Sequence, residues 1–238
     1  MITLDNTSLI FGDKVLVKDA SAFFGNGKLT ALIGRNGSGK STLLRALASL
    51  ATFTCGKAYL DGTDSSSMTS LQRAKSLAFV STEKVRIPDL TCRDLVSLGR
   101  APYTNWLGKM QKEDEEIVMH SLELVGMQDF ALRTLDTMSD GECQRVMIAR
   151  ALAQDTSNIL LDEPTSFLDI PNRWRLCELL ADLAHNQGKC IIFSTHEIET
   201  ALKVCDSVAL IDSPSLIYTS TQGFLSGGYM KRVFDIDV

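Results

Sequence analysis

Leu29-Thr30-Ala31-Leu32-Ile33 runs directly into Gly34-Arg35-Asn36-Gly37-Ser38-Gly39-Lys40-Ser41-Thr42, and this stretch decides how the chain folds. Five residues of apolar strand character meet a loop punctuated by glycine. Beyond it Leu43, Leu44, Ala46 and Leu47 recur at helical spacing, so a helix opens at Lys40. Strand, glycine loop and helix together make a phosphate cradle. The glycines let backbone N–H groups turn inward, the helix N-terminus adds the positive end of its dipole, and Lys40 reaches the β- and γ-phosphates. Ser41 and Thr42 bring hydroxyls to the first helical turn, with Ser41 placed to ligate Mg²⁺. The reading implies a nucleoside triphosphate held by residues 34–42.

Outward from this loop the chain alternates strands and helices, with one interruption. Leu9-Ile10-Phe11, Val15-Leu16-Val17 and Leu29 to Ile33 read as strands separated by Gly12-Asp13 and Gly25-Asn26-Gly27 turns. Lys57 to Leu60 and Leu77 to Val80 follow as further strands. From about Arg86 to Gln154 the apolar residues fall at helical spacing, as in Leu95, Val96 and Leu98, then Ile117, Val118, Leu122 and Val125. Strands return at Ile159 to Leu161, Cys190 to Phe193 and Val208 to Ile211. This order predicts an α/β fold with a mostly parallel sheet, antiparallel strands at its N-terminal side, and the helical block as an insertion. One domain over residues 1–238 is expected, with a nucleotide-binding core of 1–85 and 158–238 and a helical subdomain of 86–157.

Composition narrows the setting. The chain has 238 residues, is 45% hydrophobic and carries a net charge of −5. That balance gives no electrostatic footprint for nucleic acid. No apolar run approaches the roughly 20 residues of a membrane span, and the first residues lack the basic segment and apolar core of a secretory signal. A cytoplasmic protein is expected. Its six cysteines, at 55, 92, 143, 177, 190 and 205, show no C-x-x-C spacing and fit free thiols in a reducing compartment.

Three further motifs carry chemistry. Ile159-Leu160-Leu161-Asp162-Glu163 is a buried strand that ends in two carboxylates, at the edge where open α/β sheets bind ligands. Asp162 is expected beside Mg²⁺ and Glu163 beside the attacking water, which it can polarise; an acidic turn after a strand is the plainer reading. His196 ends the strand Ile191 to Thr195 and projects from the same edge, either toward a γ-phosphate oxygen or as a structural residue. The third motif is Met138-Ser139-Asp140-Gly141-Glu142-Cys143-Gln144-Arg145, in which Ser139-x-x-Glu142 also reads as a helix capping box.

This third segment resembles the Leu-Ser-Gly-Gly-Gln signature of ABC transporter ATPases, a P-loop NTPase family with a RecA-like core. The Ala149-Arg150-Ala151-Leu152 that follows, Asp162-Glu163-Pro164-Thr165-Ser166, Leu168-Asp169 and His196 keep that family's order along nearly the whole chain. The resemblance implies ATP with Mg²⁺, bound between two copies packed head to tail. Ser139 and the Gly141 backbone would then meet the γ-phosphate of the partner's nucleotide. Phe11 falls where the family stacks an aromatic ring on adenine; it equally suits the core of the first hairpin. Membrane permease subunits, with a substrate-binding protein, are implied as partners, so the chain would sit on the inner face of the cell membrane. Leu98-Gly99-Arg100-Ala101-Pro102-Tyr103 is similar to importer ATPases for iron–siderophore, haem and cobalamin, and also reads as a helix C-cap followed by a turn. The alternative is a soluble ABC ATPase such as one for iron–sulfur cluster assembly.

Two departures stand out. Where the family has glutamine after the Phe79-Val80 strand, Thr82 is the matching residue and is assigned its place near Mg²⁺. In the signature, Asp140 and Glu142 stand for glycine and glutamine. Because two like charges about 4 Å apart repel by roughly 4 kcal/mol at an effective dielectric near 20, Asp140 is expected to turn from the phosphate. It would then cap the following helix and release the Ser139 hydroxyl.

Overall fold

The computed structural model describes residues 1–83, 87–104 and 108–236. In chain order these hold β1 (Ile2–Phe11), β2 (Lys14–Phe24), β3 (Lys28–Gly34), α1 (Lys40–Leu47), β4 (Cys55–Leu60), β5 (Thr63–Asp64), α2 (Ser70–Ser76), β6 (Leu77–Val80), α3 (Cys92–Ser97), α4 (Lys112–Leu124), α5 (Asp140–Ala153), β7 (Asn158–Leu161), α6 (Ile170–Gln187), β8 (Cys190–Ser194), α7 (Ile198–Val204), β9 (Ser207–Asp212), β10 (Ser215–Ser220) and α8 (Thr221–Ser226). The boundary expected between residues 85 and 86 lies outside the described residues.

Two sheets form. Strands β2-β1-β4-β5 make an antiparallel sheet, and β10-β9-β3-β8-β7-β6 make a second, parallel from β9 to β6 with β10 antiparallel at its edge. Both faces of the larger sheet are covered, which explains why its strands are apolar without alternation. Leu29, Ala31 and Ile33 of β3 pack with α5 and α6 on one side. Leu32 of the same strand, with Leu160, Ile192 and Ala209, faces α1 and the N-terminal sheet on the other. The parallel register sets Leu32 against Ser194, and Leu161 against both Phe193 and Val80. The carboxyl ends of β3, β6, β7 and β8 therefore meet at one edge, which is where the chemistry-bearing motifs lie.

The helices between residues 92 and 153 share an apolar core, and among the described residues they also carry one buried ion pair. Leu98–Tyr103 continues α3 as a tight helical turn, so the cap-and-turn reading of this segment gives way to a packed element. Gly99 is needed there: a β-carbon would lie 2.3 Å from the Arg150 carbonyl oxygen of α5. The neighbouring Arg100 is buried. Its guanidinium donates to Asp114 Oδ1 at 2.9 Å and to the Ala153 carbonyl at 2.9 Å, and stacks on the Tyr103 ring 4.1 Å from its centroid. One side chain thus joins the start of α4 to the end of α5.

Removing one member of such a pair strands the other without a counter-charge. Asp114→Ala is expected to lower the unfolding free energy by about 3–5 kcal/mol, read from urea denaturation. The Gln111 N–H first, and then the Arg100 guanidinium, hold the Asp114 carboxyl below its ordinary 3.8. Its contribution is therefore fully present above that value and is lost as pH falls through the lower folded value, which denaturation between neutral and acid pH checks.

Candidate active site

The phosphate loop joins β3 to α1, and neighbours press on two of its glycines, Gly34 and Gly39. Gly39 caps α1 with φ 103°, and a β-carbon on it would fall 2.9 Å from Leu16 Cδ1 of β2. One on Gly34 would fall 2.7 Å from the Ile211 carbonyl oxygen. Lys40 is 6% exposed and donates to the Gly34 carbonyl at 3.2 Å. Burial pushes its pKa down, against the opposing pull of Glu163 and Asp162. A desolvated ammonium aimed along the loop is the group a triphosphate would neutralise.

The remaining loop residues divide by direction. Ser38 Oγ is buried with no hydrogen-bond partner. Arg35 turns its side chain outward, donating from Nε to the Val233 carbonyl at 2.6 Å, so its part toward a nucleotide is that of its backbone. Asn36 and Gly37 form the exposed crest, and Thr42 sits half-buried beside Ser41 in the first turn of α1. Lys14 Nζ donates to the Gly37 carbonyl at 2.7 Å, tying the tip of the β1–β2 hairpin to the loop. Phe11 pairs with Lys14 across that hairpin and is 71% exposed, so the core reading of this ring is excluded. The hairpin presents it to solvent next to the loop.

At the end of β7, Asp162 is fully buried. Its Oδ1 accepts hydroxyl hydrogens from Ser41 at 3.0 Å and Ser194 at 2.7 Å, whereas its Oδ2 is buried without a partner. An orphaned carboxylate oxygen beside a serine hydroxyl fits a hard cation, and Ser41 and Asp162 are the residues that would hold Mg²⁺. Among the described residues no three His, Cys, Asp or Glu side chains converge on a metal position, so the other ligands would be phosphate and water oxygens. Glu163 follows with φ 48°, its N–H donating to Ser194 Oγ at 2.8 Å. Its Oε2 accepts from Ser166 Oγ at 3.1 Å, and its Oε1 lies 2.5 Å from His196 Nε2. The imidazole is thus turned to the carboxylate, which it orients.

Thr82 stands two residues past β6 on the same edge, half-buried, next to a Glu83 that pairs with Arg45 at 2.7 Å. The signature residues lie elsewhere in the chain, at the start of α5. Ser139 is the N-cap: its Oγ accepts the Glu142 N–H at 3.3 Å, while Glu142 Oε2 accepts the Ser139 N–H and O–H at 2.8 Å each. The expectation that Asp140 caps this helix and releases the serine is overturned. Asp140 is already the first helical residue, and a glutamate three positions past the serine completes the capping box. Glu142 also pairs with Arg133 at 3.4 Å, and its carboxyl is held below the usual range chiefly by the Ser139 backbone N–H. Gly141 packs on the loop that leaves Glu163, since a β-carbon there would lie 2.7 Å from the Phe167 carbonyl oxygen.

Sequence reasoning missed Ser194, Lys14 and Arg173. Arg173 donates to the Leu168 carbonyl at 2.6 Å and pairs with Glu197 at 2.6 Å, so it joins the loop after Glu163 to the one that carries His196. The only advance sign of Ser194 was a hydroxyl ending an otherwise apolar strand.

Residues 17–166 match the sequence profile of the ABC transporter family. The whole chain is similar to an iron(3+)-hydroxamate import ATP-binding protein of Bacillus subtilis, 33% identical over 99% of this chain and 88% of the relative. Its fold is similar to that of a metal-chelate type ABC transporter in an inward-facing conformation, with TM-score 0.85 and 26% identity over 99% of this chain and 89% of that one. It is similar also to a dimeric ATP-binding cassette in a post-hydrolysis state bound to ADP and Pi, with TM-score 0.82 and 27% identity over 94% of this chain and all of the other.

Gly141 sets two effects against each other. Alanine is the better helix former, but its β-carbon must displace the Phe167 backbone. Gly141→Ala is expected to lose about 1–3 kcal/mol of stability through overpacking, measured by urea denaturation; a gain would mean that helix propensity outweighs the contact.

Proposed function

Because the chain belongs to the ABC transporter family, we propose that it is the ATP-binding and ATP-hydrolysing subunit of an importer for an iron–siderophore, haem or cobalamin-type substrate. One observation carries the chemistry: a desolvated lysine, a buried aspartate with one bare oxygen, and an oriented glutamate converge at a single sheet edge. The phosphates of ATP lie in the loop of residues 34–39, against Lys40 and the N-terminus of α1, with Ser41 and Thr42 beneath. Ser41 and Asp162, with Thr82 beside them, would hold Mg²⁺, whose charge would offset that of the phosphates. Glu163 takes the proton as the water oxygen bonds to the γ-phosphorus, and the bridging oxygen departs with ADP. His196 holds the Glu163 carboxylate, at the sheet edge where the γ-phosphate would lie.

The working form is a head-to-tail pair of chains. Ser139 and the Gly141 N–H of one copy face the nucleotide of the other, for which the hydroxyl must leave Glu142. The dimeric cassette to which this fold is similar supports the pairing. Among the described residues no helix is long and apolar enough to cross a membrane. A separate permease on whose inner face the helical block 86–157 docks, supplied by a substrate-binding protein, completes the transporter. Phe11 stacks on the adenine. The soluble iron–sulfur assembly alternative has no observation in its favour. Co-purification with a permease, and iron-chelate uptake that depends on this chain, test the assignment; a chain that hydrolyses ATP but neither binds a permease nor supports uptake would refute it.

Lys40→Ala removes a charge at the phosphates without opening the core. Affinity for a fluorescent ATP analogue is expected to fall about 100-fold, equivalent to about 2.8 kcal/mol, with the unfolding midpoint near the parent's. Glu163→Gln keeps the shape and one acceptor but cannot take a proton. Its ATP binding should persist while turnover drops about 10²–10⁴-fold, and gel filtration with ATP should show a dimer.

A further inference from the structure

We propose that Ser194 is the positioning residue that aims both carboxylates of the site, a reading that rests on the ATPase assignment above. Ser194 ends β8, between β3 and β7, and is fully buried. Its hydroxyl is used twice: it donates to Asp162 Oδ1 at 2.7 Å and accepts the Glu163 N–H at 2.8 Å. The three residues before it, Ile191, Ile192 and Phe193, are apolar core. A strand this buried favours an apolar, β-branched residue, so a hydroxyl here answers a polar demand.

Each bond has a separate consequence. With Ser41 and Ser194 both donating to Oδ1, the Asp162 carboxylate is pinned in one rotation, and Oδ2 is left bare and buried for a cation. Without Ser194 one donor remains, and the carboxylate can swing to offer that donor either oxygen. The second bond holds Glu163 in a left-handed backbone conformation, φ 48°, that a non-glycine residue adopts at a cost. The direction of its side chain, and so its distance from the γ-phosphate, follows from that backbone. One hydroxyl on the neighbouring strand therefore couples cation placement to base placement.

The test reads metal binding rather than turnover alone. Mn²⁺ is titrated into the purified chain with a non-hydrolysable ATP analogue and followed by electron paramagnetic resonance. Ser194→Ala is expected to weaken Mn²⁺ about 10-fold or more, as loss of an outer-shell partner does. Affinity for the nucleotide in EDTA should stay within about two-fold of the parent, since the phosphate loop is untouched. Ser194→Thr, which keeps the hydroxyl, should restore the Mn²⁺ midpoint. Thr30→Val removes a buried hydroxyl from the same sheet, where Thr30 and Ser207 are paired at 2.8 Å, and should leave that midpoint at the parent value. Should Ser194→Ala fail to fold, Ser194→Cys, with a weaker donor of similar size, carries the same expectation. An unchanged midpoint in Ser194→Ala, or an equal loss in Thr30→Val, overturns the proposal. A parent chain that binds no nucleotide overturns the ATPase assignment instead.

Discussion

The Asp162 carboxylate draws hydroxyl hydrogens from α1 and from β8 onto a single oxygen, and three chain segments far apart in sequence are held in register by it. A carboxylate with no exposed surface is expensive unless its oxygens are satisfied. One oxygen is satisfied from within the fold, and the other is buried without a partner, which is the basis of the cation site proposed above. The strands supply the rest of the constraint: Asp162 N–H donates to the Val80 carbonyl and Thr195 N–H to the Leu32 carbonyl, so ladder bonding continues past the named strands into the site. The phosphate loop, the acidic pair and the histidine are therefore placed by sheet register, and not by loops free to choose their positions.

From this edge the structure runs outward along α5. Gly141 seats the first turn of that helix on the Phe167 carbonyl, and Arg100 grips the carbonyl of Ala153 at its last turn. Arg173 adds a second tie, between the loop after Glu163 and the residue after His196. A displacement of the loop leaving Glu163 thus has a packed route into the helical block. Close approach of backbone at Gly141 and Gly99 leaves little room for slack, because close-packed interiors have low compressibility.

In the signature region local hydrogen bonding decides where α5 begins. Ser139 and Glu142 make the capping box that their spacing predicts, so the glutamate has a structural use beside its charge. Repulsion from a phosphate does not make Asp140 the cap, because Ser139 and Glu142 already satisfy the first N–H groups of the helix. The helix start is decided by which residue keeps an extended backbone, and that is Ser139 at φ −68° and ψ 159°.

The sequence by itself determined the strand-loop-helix of residues 29–47, the alternation that makes a parallel sheet, the positions of Lys40, Ser41, Asp162 and Glu163, and the family, because each depends on local spacing or on the order of local motifs along the chain. Tertiary structure alone decided that Ser194 bonds both Asp162 and Glu163, that Arg35 turns away to Val233, that Phe11 is exposed, and that Arg100 is buried with Asp114. The pairings among them join residues from 14 to 198 positions apart. Nothing in local periodicity encodes such pairings. They arise when parallel strands, which need long crossover connections, bring distant strand ends to one edge, and buried polar groups must find partners among whatever that edge assembles.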